Sequence, residues 1–294
     1  MDNTRGVTET LLGEFLASLY PQLLRIVRSS IDVQTLLRVL VYAGLSYAFV
    51  RKGHAKTDFV QGAVNTLHIL SSYFAFRSIS SGNALALFYT YPLWNLVLSK
   101  VFLQESIDST NVAFTFVGVV GATMVALSST STEENKRGAN VYGVLAALLA
   151  AVTESIMYIA YHDKTLSETP VERIFGLYSG SIPFILILCG VRWATQGTKG
   201  FLKDTTLRGV GLMIGFNSIV GILSHVLRAN AMLRLRADVF SALSLTGIIM
   251  GYLTMFLLEG KKPTKLALLG AVLVGAAGVF VTMNKKNDTT HNAL

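Results

Sequence analysis

Apolar stretches of about 20 residues, separated by short polar breaks, run through the 294-residue chain. A hydrocarbon core of roughly 30 Å is crossed by about 20 mostly apolar residues in a helix. Ten stretches fit, at residues 8–28, 33–50, 59–79, 83–103, 111–129, 140–161, 174–193, 208–230, 237–258 and 265–283. The first is the weakest, because Glu14, Gln22 and Arg25 interrupt it. The eighth is the hardest to end, because Arg228, Arg234 and Arg236 blur its boundary with the ninth. The breaks are marked by RKGHAKTD at 51–58, SSTSTEENKRG at 128–138, HDKTLSETPVER at 162–173, TQGTKGFLKD at 195–204 and EGKKPTK at 259–265. The pattern predicts an all-α, polytopic membrane protein. Its most polar central break divides ten helices into a first unit over 1–130 and a second over 138–284, followed by a polar tail at 285–294.

The two halves repeat. Residues 102–125 and 256–279 align without a gap at an offset of 154, and nine of the 24 positions are identical. Among them are Glu105 with Glu259, at the foot of the run, and Gly121 with Gly275 inside it. Internal duplication in a membrane protein points first to a transporter. Five spans per half is an odd number, so the second half enters the membrane from the opposite side and the repeats are inverted. Glu105 and Glu259 are then expected at opposite faces, in a structural role common to both halves. Gly118, Gly121, Ala122, Gly270, Gly275, Ala276, Ala277 and Gly278 crowd the last helix of each half. Small residues there let helices approach closely in lipid.

Composition agrees: 52% of residues are apolar and 14% charged, against about 25% charged in soluble domains, and mean hydropathy is +0.52. The net charge of +8 does not imply nucleic acid. Lys and Arg stand singly at the ends of apolar runs, where they meet lipid headgroups, and Arg25, Arg28, Arg38, Arg51 and Arg192 read as snorkelling side chains of this kind. Lys and Arg on alternate loops nearly balance, so charge does not set the orientation. Cys189 is alone, and no secretory signal is visible. Phosphate-cradling loops, metal-ligand clusters and nucleophile–base arrangements are not recognisable. No catalytic residue, metal or cofactor is therefore expected, and ATP hydrolysis is not.

Ionisable groups inside a span are functional candidates by default. Glu154, in AALLAAVTESIMYIAY, could bind a cationic group or carry a coupling proton; alternatively it is a hydrogen-bonded structural acid. Glu14 could act likewise, or sit at a frayed helix start. His68 and His225 hold similar places in the two halves, where an imidazole can relay protons or bridge helices. Asn65, Asn95 and Asn217, with Tyr89, Tyr91 and Tyr158, offer neutral donors and acceptors for a small solute. Pro92 removes a backbone hydrogen bond mid-span and predicts a bend in the fourth helix, with Asn95 or Tyr89 facing a cavity. Arg228, Arg234 and Arg236 could face an anionic solute, although a loop-lining place at a span end is the more usual arrangement.

The segments AFRSISSGNALALFYTYPLWNLVLSKVFLQE at 75–105 and ANAMLRLRADVFSALSLTGIIMGYLTMFLLE at 229–259 resemble the EamA-like branch of the drug/metabolite transporter superfamily. The likeness lies in a small-residue turn, an apolar helix with a central Pro, Leu-x-Glu, and a Gly-rich helix. Pro92 fits this in the first half, whereas Thr246 stands in its place in the second. The resemblance implies two inverted five-helix repeats around a cavity lined by helices 1, 3, 4, 6, 8 and 9, with both termini cytosolic. It implies a secondary transporter of a small organic metabolite in a lipid bilayer, not an enzyme, and leaves room for a coupling proton and a homodimer. The alternative within the superfamily is a nucleotide-sugar or sugar-phosphate exchanger, which needs basic residues facing the cavity.

Overall fold

A backbone in lipid must satisfy its hydrogen bonds within its own segment, so each apolar stretch becomes helical. The computed structural model describes residues 2–20, 23, 27, 29–79, 81–128, 140–162, 168–259 and 264–291. Ten helical spans follow in order. They are α1 (Asp2–Ala17), α2 (Ile31–Tyr47), α3 (Phe59–Ser78), α4 in two segments (Ser81–Phe88 and Tyr91–Phe102) and α5 (Ser109–Ser128). Then come α6 (Val141–His162), α7 (Pro170–Phe201), α8 (Leu207–Arg234), α9 in two segments (Ala237–Ser244 and Thr246–Glu259) and α10 (Lys265–His291). Among the described residues, Val141–Tyr161, Pro170–Phe201 and Leu207–Arg234 are long and apolar enough to cross a membrane unbroken, while α5, α9 and α10 hold shorter apolar helices. The predicted polar tail extends α10 as helix to His291. Arg25 and Arg28 lie outside the described residues.

Side-chain caps set several helix starts. Ser30 accepts from the Val33 N–H, Asp58 from Gln61 and Thr206 from Gly209, while Thr169 and Glu172 form a capping box before α7. The bend expected at Pro92 is a break at Tyr89–Thr90, just ahead of it. The proline ring would meet the carbonyl four residues back, and its nitrogen cannot donate. The Thr90 hydroxyl donates to the Leu87 carbonyl at 2.7 Å. In α9, where Thr246 replaces the proline, the helix also breaks, and the Thr246 hydroxyl donates to the Leu243 carbonyl at 2.6 Å. The interruption survives without the proline because a hydroxyl takes the freed acceptor.

The main packing pairs are α1 with α8, α3 with α6, α2 with α7, α3 with α7 and α5 with α10, and α4 also packs against α9. Further contacts join α1 to α9 and α6 to α4. Exchanging each helix for the one five later maps α1–α8 onto α6–α3 and α1–α9 onto α6–α4, and leaves α2–α7, α4–α9 and α5–α10 unchanged. This is the contact map of two inverted five-helix repeats. Glu105 lies three residues past the end of α4 and accepts from the Ala237 N–H at the start of α9, whereas Glu259 closes the far end of α9. Small residues mediate the tightest crossings. A Cβ on Gly121 would lie 2.6 Å from the Gly270 carbonyl oxygen, so α5 and α10 touch through backbone. Gly275, expected to share this role, faces open space; the position is a helical turn and more from the crossing, which falls at Gly270.

Gly62 of α3 and Gly180 of α7 meet more closely still. A methyl on Gly62 would overlap the Gly180 carbonyl, and one on Gly180 would overlap the Asp58 carbonyl. Asn65 donates to Ser181 at 2.9 Å beside them, tying the two helices together. Gly180→Ala is expected to cost about 3 kcal/mol, the upper end of overpacking penalties. A thermal midpoint in detergent equal to that of the wild type would refute the tight crossing.

The surface inverts that of a soluble protein. Leu145, Ile187, Val191, Leu268 and Val272 are exposed, while Asn95, Thr115, Ser155, Asn217 and Ser241 are buried. Apolar side chains face where lipid would lie, and hydrogen-bonding groups face each other.

Candidate functional site

The centre of the bundle holds a charge cluster built from four helices. Arg228 of α8 places Nε 2.9 Å from Glu14 Oε1 of α1 and Nη2 2.6 Å from Glu154 Oε1 of α6. Glu14 is 2% exposed and Glu154 7%. The two acids therefore come from equivalent helices of the two halves and share one guanidinium. His68 of α3 adds its Nε2, 3.5 Å from Glu154 Oε2. Its Nδ1 lies 3.1 Å from the Ala150 carbonyl. A carbonyl only accepts, so Nδ1 carries hydrogen there, and a neutral ring would present a lone pair at Nε2 to the carboxylate. The contact becomes favourable when a proton resides on His68 or Glu154. Without it the cluster carries one net negative charge, and with it none.

Glycines give the cluster room. A Cβ on Gly13, beside Glu14, would sit 2.8 Å from Arg228 Cγ, and the Ser224 hydroxyl donates to the Gly13 carbonyl at 2.8 Å. A Cβ on Gly247 of α9 would sit 2.5 Å from Glu14 Oε2 and 2.6 Å from the Tyr89 hydroxyl. Gly247→Ala is therefore expected to push Glu14 off Arg228 and to destabilise the bundle by about 1–3 kcal/mol, the usual cost of overpacking. An unchanged thermal midpoint in detergent would show that Glu14 is not held against α9.

Aromatic rings surround the charges. Tyr89 and Tyr91 flank Phe88, whose ring meets His68. His225 packs edge-on against Tyr42, Tyr161 and Tyr178. Glu154, Met157, Tyr158, Tyr161, His225 and Arg228 line a narrow central nook. Met157 and Tyr161 also line an open cleft of about 550 Å³, whose rim carries Lys56, Asp58, Glu168 and Arg173. One side-chain layer thus separates the acid pair from a vestibule. Arg173 seals the same corner by donating to the carbonyls of Ala160 and Tyr161 at the end of α6. On the same face, Arg51 makes a two-point contact with Glu172 at 2.6 Å, and Arg234 pairs with Glu9 at 3.1 Å.

Comparison with known proteins fits this arrangement. Residues 5–127, which hold the first five helices, match the EamA-like transporter family. Over those residues the chain is similar to that family. The uncharacterized transporter YdfC of Bacillus subtilis (strain 168) is 26% identical over 217 residues, which cover 72% of this chain and 66% of that protein. The pseudopaline exporter CntI of Pseudomonas aeruginosa (strain UCBPP-PA14) is 24% identical over 283 residues, covering 96% and 93%. A crystal structure at 17% identity superposes with a TM-score of 0.69 over 96% of this chain and 97% of that one, and so shares its fold. With its long apolar helices and these transporter relatives, the chain is an integral membrane protein.

The EamA-like frame sorts the residues singled out from sequence. Glu14, Glu154, His68 and Tyr89 meet at the cluster, and Tyr158 and His225 line the nook beside it. Asn95 lies elsewhere, donating to Ser241 at 3.2 Å across the α4–α9 contact. Asn217 braces the π-helical turn of α8 at Asn217–Gly221, accepting from Tyr20 at 2.5 Å and donating to the Met213 carbonyl. Arg228 is not loop-lining as expected; α8 continues to Arg234, which carries Arg228 inside the bundle, one turn after His225 and on its face. Arg38 does not snorkel. Its guanidinium stacks 4.8 Å over Tyr20 and 5.4 Å over Tyr42.

Proposed function

We propose that this chain is a secondary transporter for a small organic solute bearing a cationic group, working by alternating access between the repeats at 1–130 and 138–284. One observation carries the reading: Glu14 and Glu154, one from each half, share the single guanidinium of Arg228 at the centre of the bundle. A solute ammonium entering through the vestibule takes over one carboxylate, while Arg228 keeps the other. Because the acids belong to different halves, rocking of one half against the other exposes the solute to alternate sides. The proton accommodated between His68 and Glu154 supplies a coupling ion, bound when the solute is absent and released when its charge arrives. The relative named as a pseudopaline exporter supports an organic solute and outward movement.

A sugar-phosphate or nucleotide-sugar exchanger needs several unpaired cations converging on one phosphate. Here Arg228 is neutralised by two acids, and among the described residues Arg38 alone of the bundle interior is a cation facing only tyrosines. The test is a transport screen of purified protein in liposomes across amines, amino acids, sugars and nucleotide sugars, with and without a pH gradient. Transport of amine-bearing solutes that responds to the gradient is expected. Transport confined to phosphorylated sugars would overturn the reading.

A further inference from the structure

Helices α2 and α7 are joined at both membrane faces and between them. At the face where α2 begins, Arg192 Nη1 of α7 lies 2.6 Å from Asp32 Oδ2. The Ser30 hydroxyl donates to the Phe201 carbonyl at 3.2 Å beside this pair. At the opposite face Arg51, four residues past α2, makes its two-point contact with Glu172 in the first turn of α7. Both acids are shielded, the Asp32 side chain being 15% exposed and that of Glu172 1%. Between the two ion pairs, Arg38 Nη2 donates to the Tyr178 hydroxyl at 3.2 Å.

The two ion pairs are copies of each other. Asp32 and Glu172 stand 140 residues apart, as do Arg38 and Tyr178, and Arg51 and Arg192 stand 141 apart. Glu14 and Glu154 of the central cluster keep the same register of 140, and so nearly do the N-cap residues Ser30 and Thr169. Exchanging the halves therefore turns each ion pair into the other. The Arg38–Tyr178 contact joins equivalent positions, which puts it beside the axis that relates the repeats.

We propose that the α2–α7 pair is a two-ended clasp that stays closed at both faces and serves as the pivot about which the halves rock. This rests on the alternating-access reading above. In an inverted repeat the second state is reached when each half takes up the arrangement of the other. A contact made at one face only is then exchanged for its counterpart at the other face. Gly62, in the first turns of α3, meets the backbone of α7, whereas Gly211, in the first turns of α8, has nothing within 4 Å. That contact is one-sided, so rocking exchanges it. The Asp32–Arg192 and Arg51–Glu172 pairs are closed together in one structure, so the exchange returns both of them closed. Opening either would also leave a shielded acid without its cation, which is costly.

The test uses the full-length protein with Cys189→Ser in nanodiscs, carrying pairs of spin labels on introduced cysteines. Labels at Ile31 and Val191 report one end of the clasp, and labels at Phe49 and Val171 the other; both ion pairs stay intact. A third pair, Ile31 with Leu207 at the start of α8, reports a helix outside the clasp. Separations are read by electron paramagnetic resonance at about pH 5 and about pH 8, on either side of histidine titration. Each clasp pair is expected to give one separation, the same at both pH values. The Ile31–Leu207 separation is expected to change by about 5 Å, the scale of one element moving a helical turn past another. A second, longer separation at either end of the clasp, while the third pair moves, overturns the pivot and leaves alternating access standing. If the third pair is as fixed as the clasp, the halves do not rock, and the alternating-access reading falls together with the pivot. Arg192→Gln is expected to broaden the Ile31–Val191 separation and to diminish the Ile31–Leu207 change with it. A diminished change is what a contact that only stabilises the fold would not produce, and an unaltered one overturns the clasp. If Arg192→Gln fails to fold, the three labelled pairs with both ion pairs in place still decide.

Discussion

Glu154→Gln is expected to reduce transport of the cationic solute about 100-fold and to remove its response to a pH gradient, while the protein still folds and inserts. The size follows from the loss of one charge-assisted contact, worth about 1.5–3 kcal/mol, on top of a proton site that amide chemistry cannot replace. Folding survives because Arg228 keeps Glu14 at 2.9 Å, so the variant cluster holds one cation and one anion. His68 then loses its carboxylate but keeps the Ala150 carbonyl at 3.1 Å. Proteoliposome flux at two internal pH values measures both effects. Wild-type rates and wild-type pH dependence in the variant would reduce Glu154 to a packing residue and move the coupling proton to Glu14 or the histidines.

Glu154 was visible in the sequence because a lone carboxylate inside an apolar run has few bland explanations. Its partner was not, for a reason that can be named. Arg228 stands among Arg234 and Arg236, and three arginines in nine residues look like the end of a span. The structure carries α8 to Arg234, so the first of the three lies inside and the others at the face, pairing with Glu9 and Asp238. A signal was present: Arg228 follows His225 by three residues and so shares its helical face. Arg38 offered only part of such a sign: Tyr42 follows it by four residues on one helical face, but Tyr20 and Tyr178 come from far along the chain and only the fold brings them to it.

The same contrast holds for the scaffold. Span count, inverted order and the break in α4 are written in hydrophobic length and in Pro92, properties local to each segment. The break in α9 is carried by Thr246, whose hydroxyl bond to Leu243 is invisible to a search for proline. Close approach of α5 and α10 was legible as a glycine-rich stripe, but the crossing point at Gly121 and Gly270 depends on how the two helices cross, which no single segment encodes.

Arg228→Met should be the most destabilising single change in the bundle. It leaves Glu14 and Glu154 facing each other in a site that excludes water, and breaking a buried ion pair from one side costs about 3–5 kcal/mol. Methionine keeps much of the arginine stem's volume, so the loss reports charge and not a cavity. The control is Arg228→Met combined with Glu14→Gln and Glu154→Gln, which removes all three charges and keeps the shapes. Neutral replacement of a whole buried ionic group is often close to neutral in stability. The triple variant should therefore recover most of the lost thermal midpoint, and the two glutamine substitutions should be far from additive with Arg228→Met. The cluster would then be retained for transport and not for folding, since the inert bundle lacks any site for a cation. If Arg228→Met alone melts like the wild type, the guanidinium is hydrated and the acids are not desolvated. If the triple variant is as unstable as the single one, packing of the Arg228 side chain against Gly13 is what holds α1 to α8.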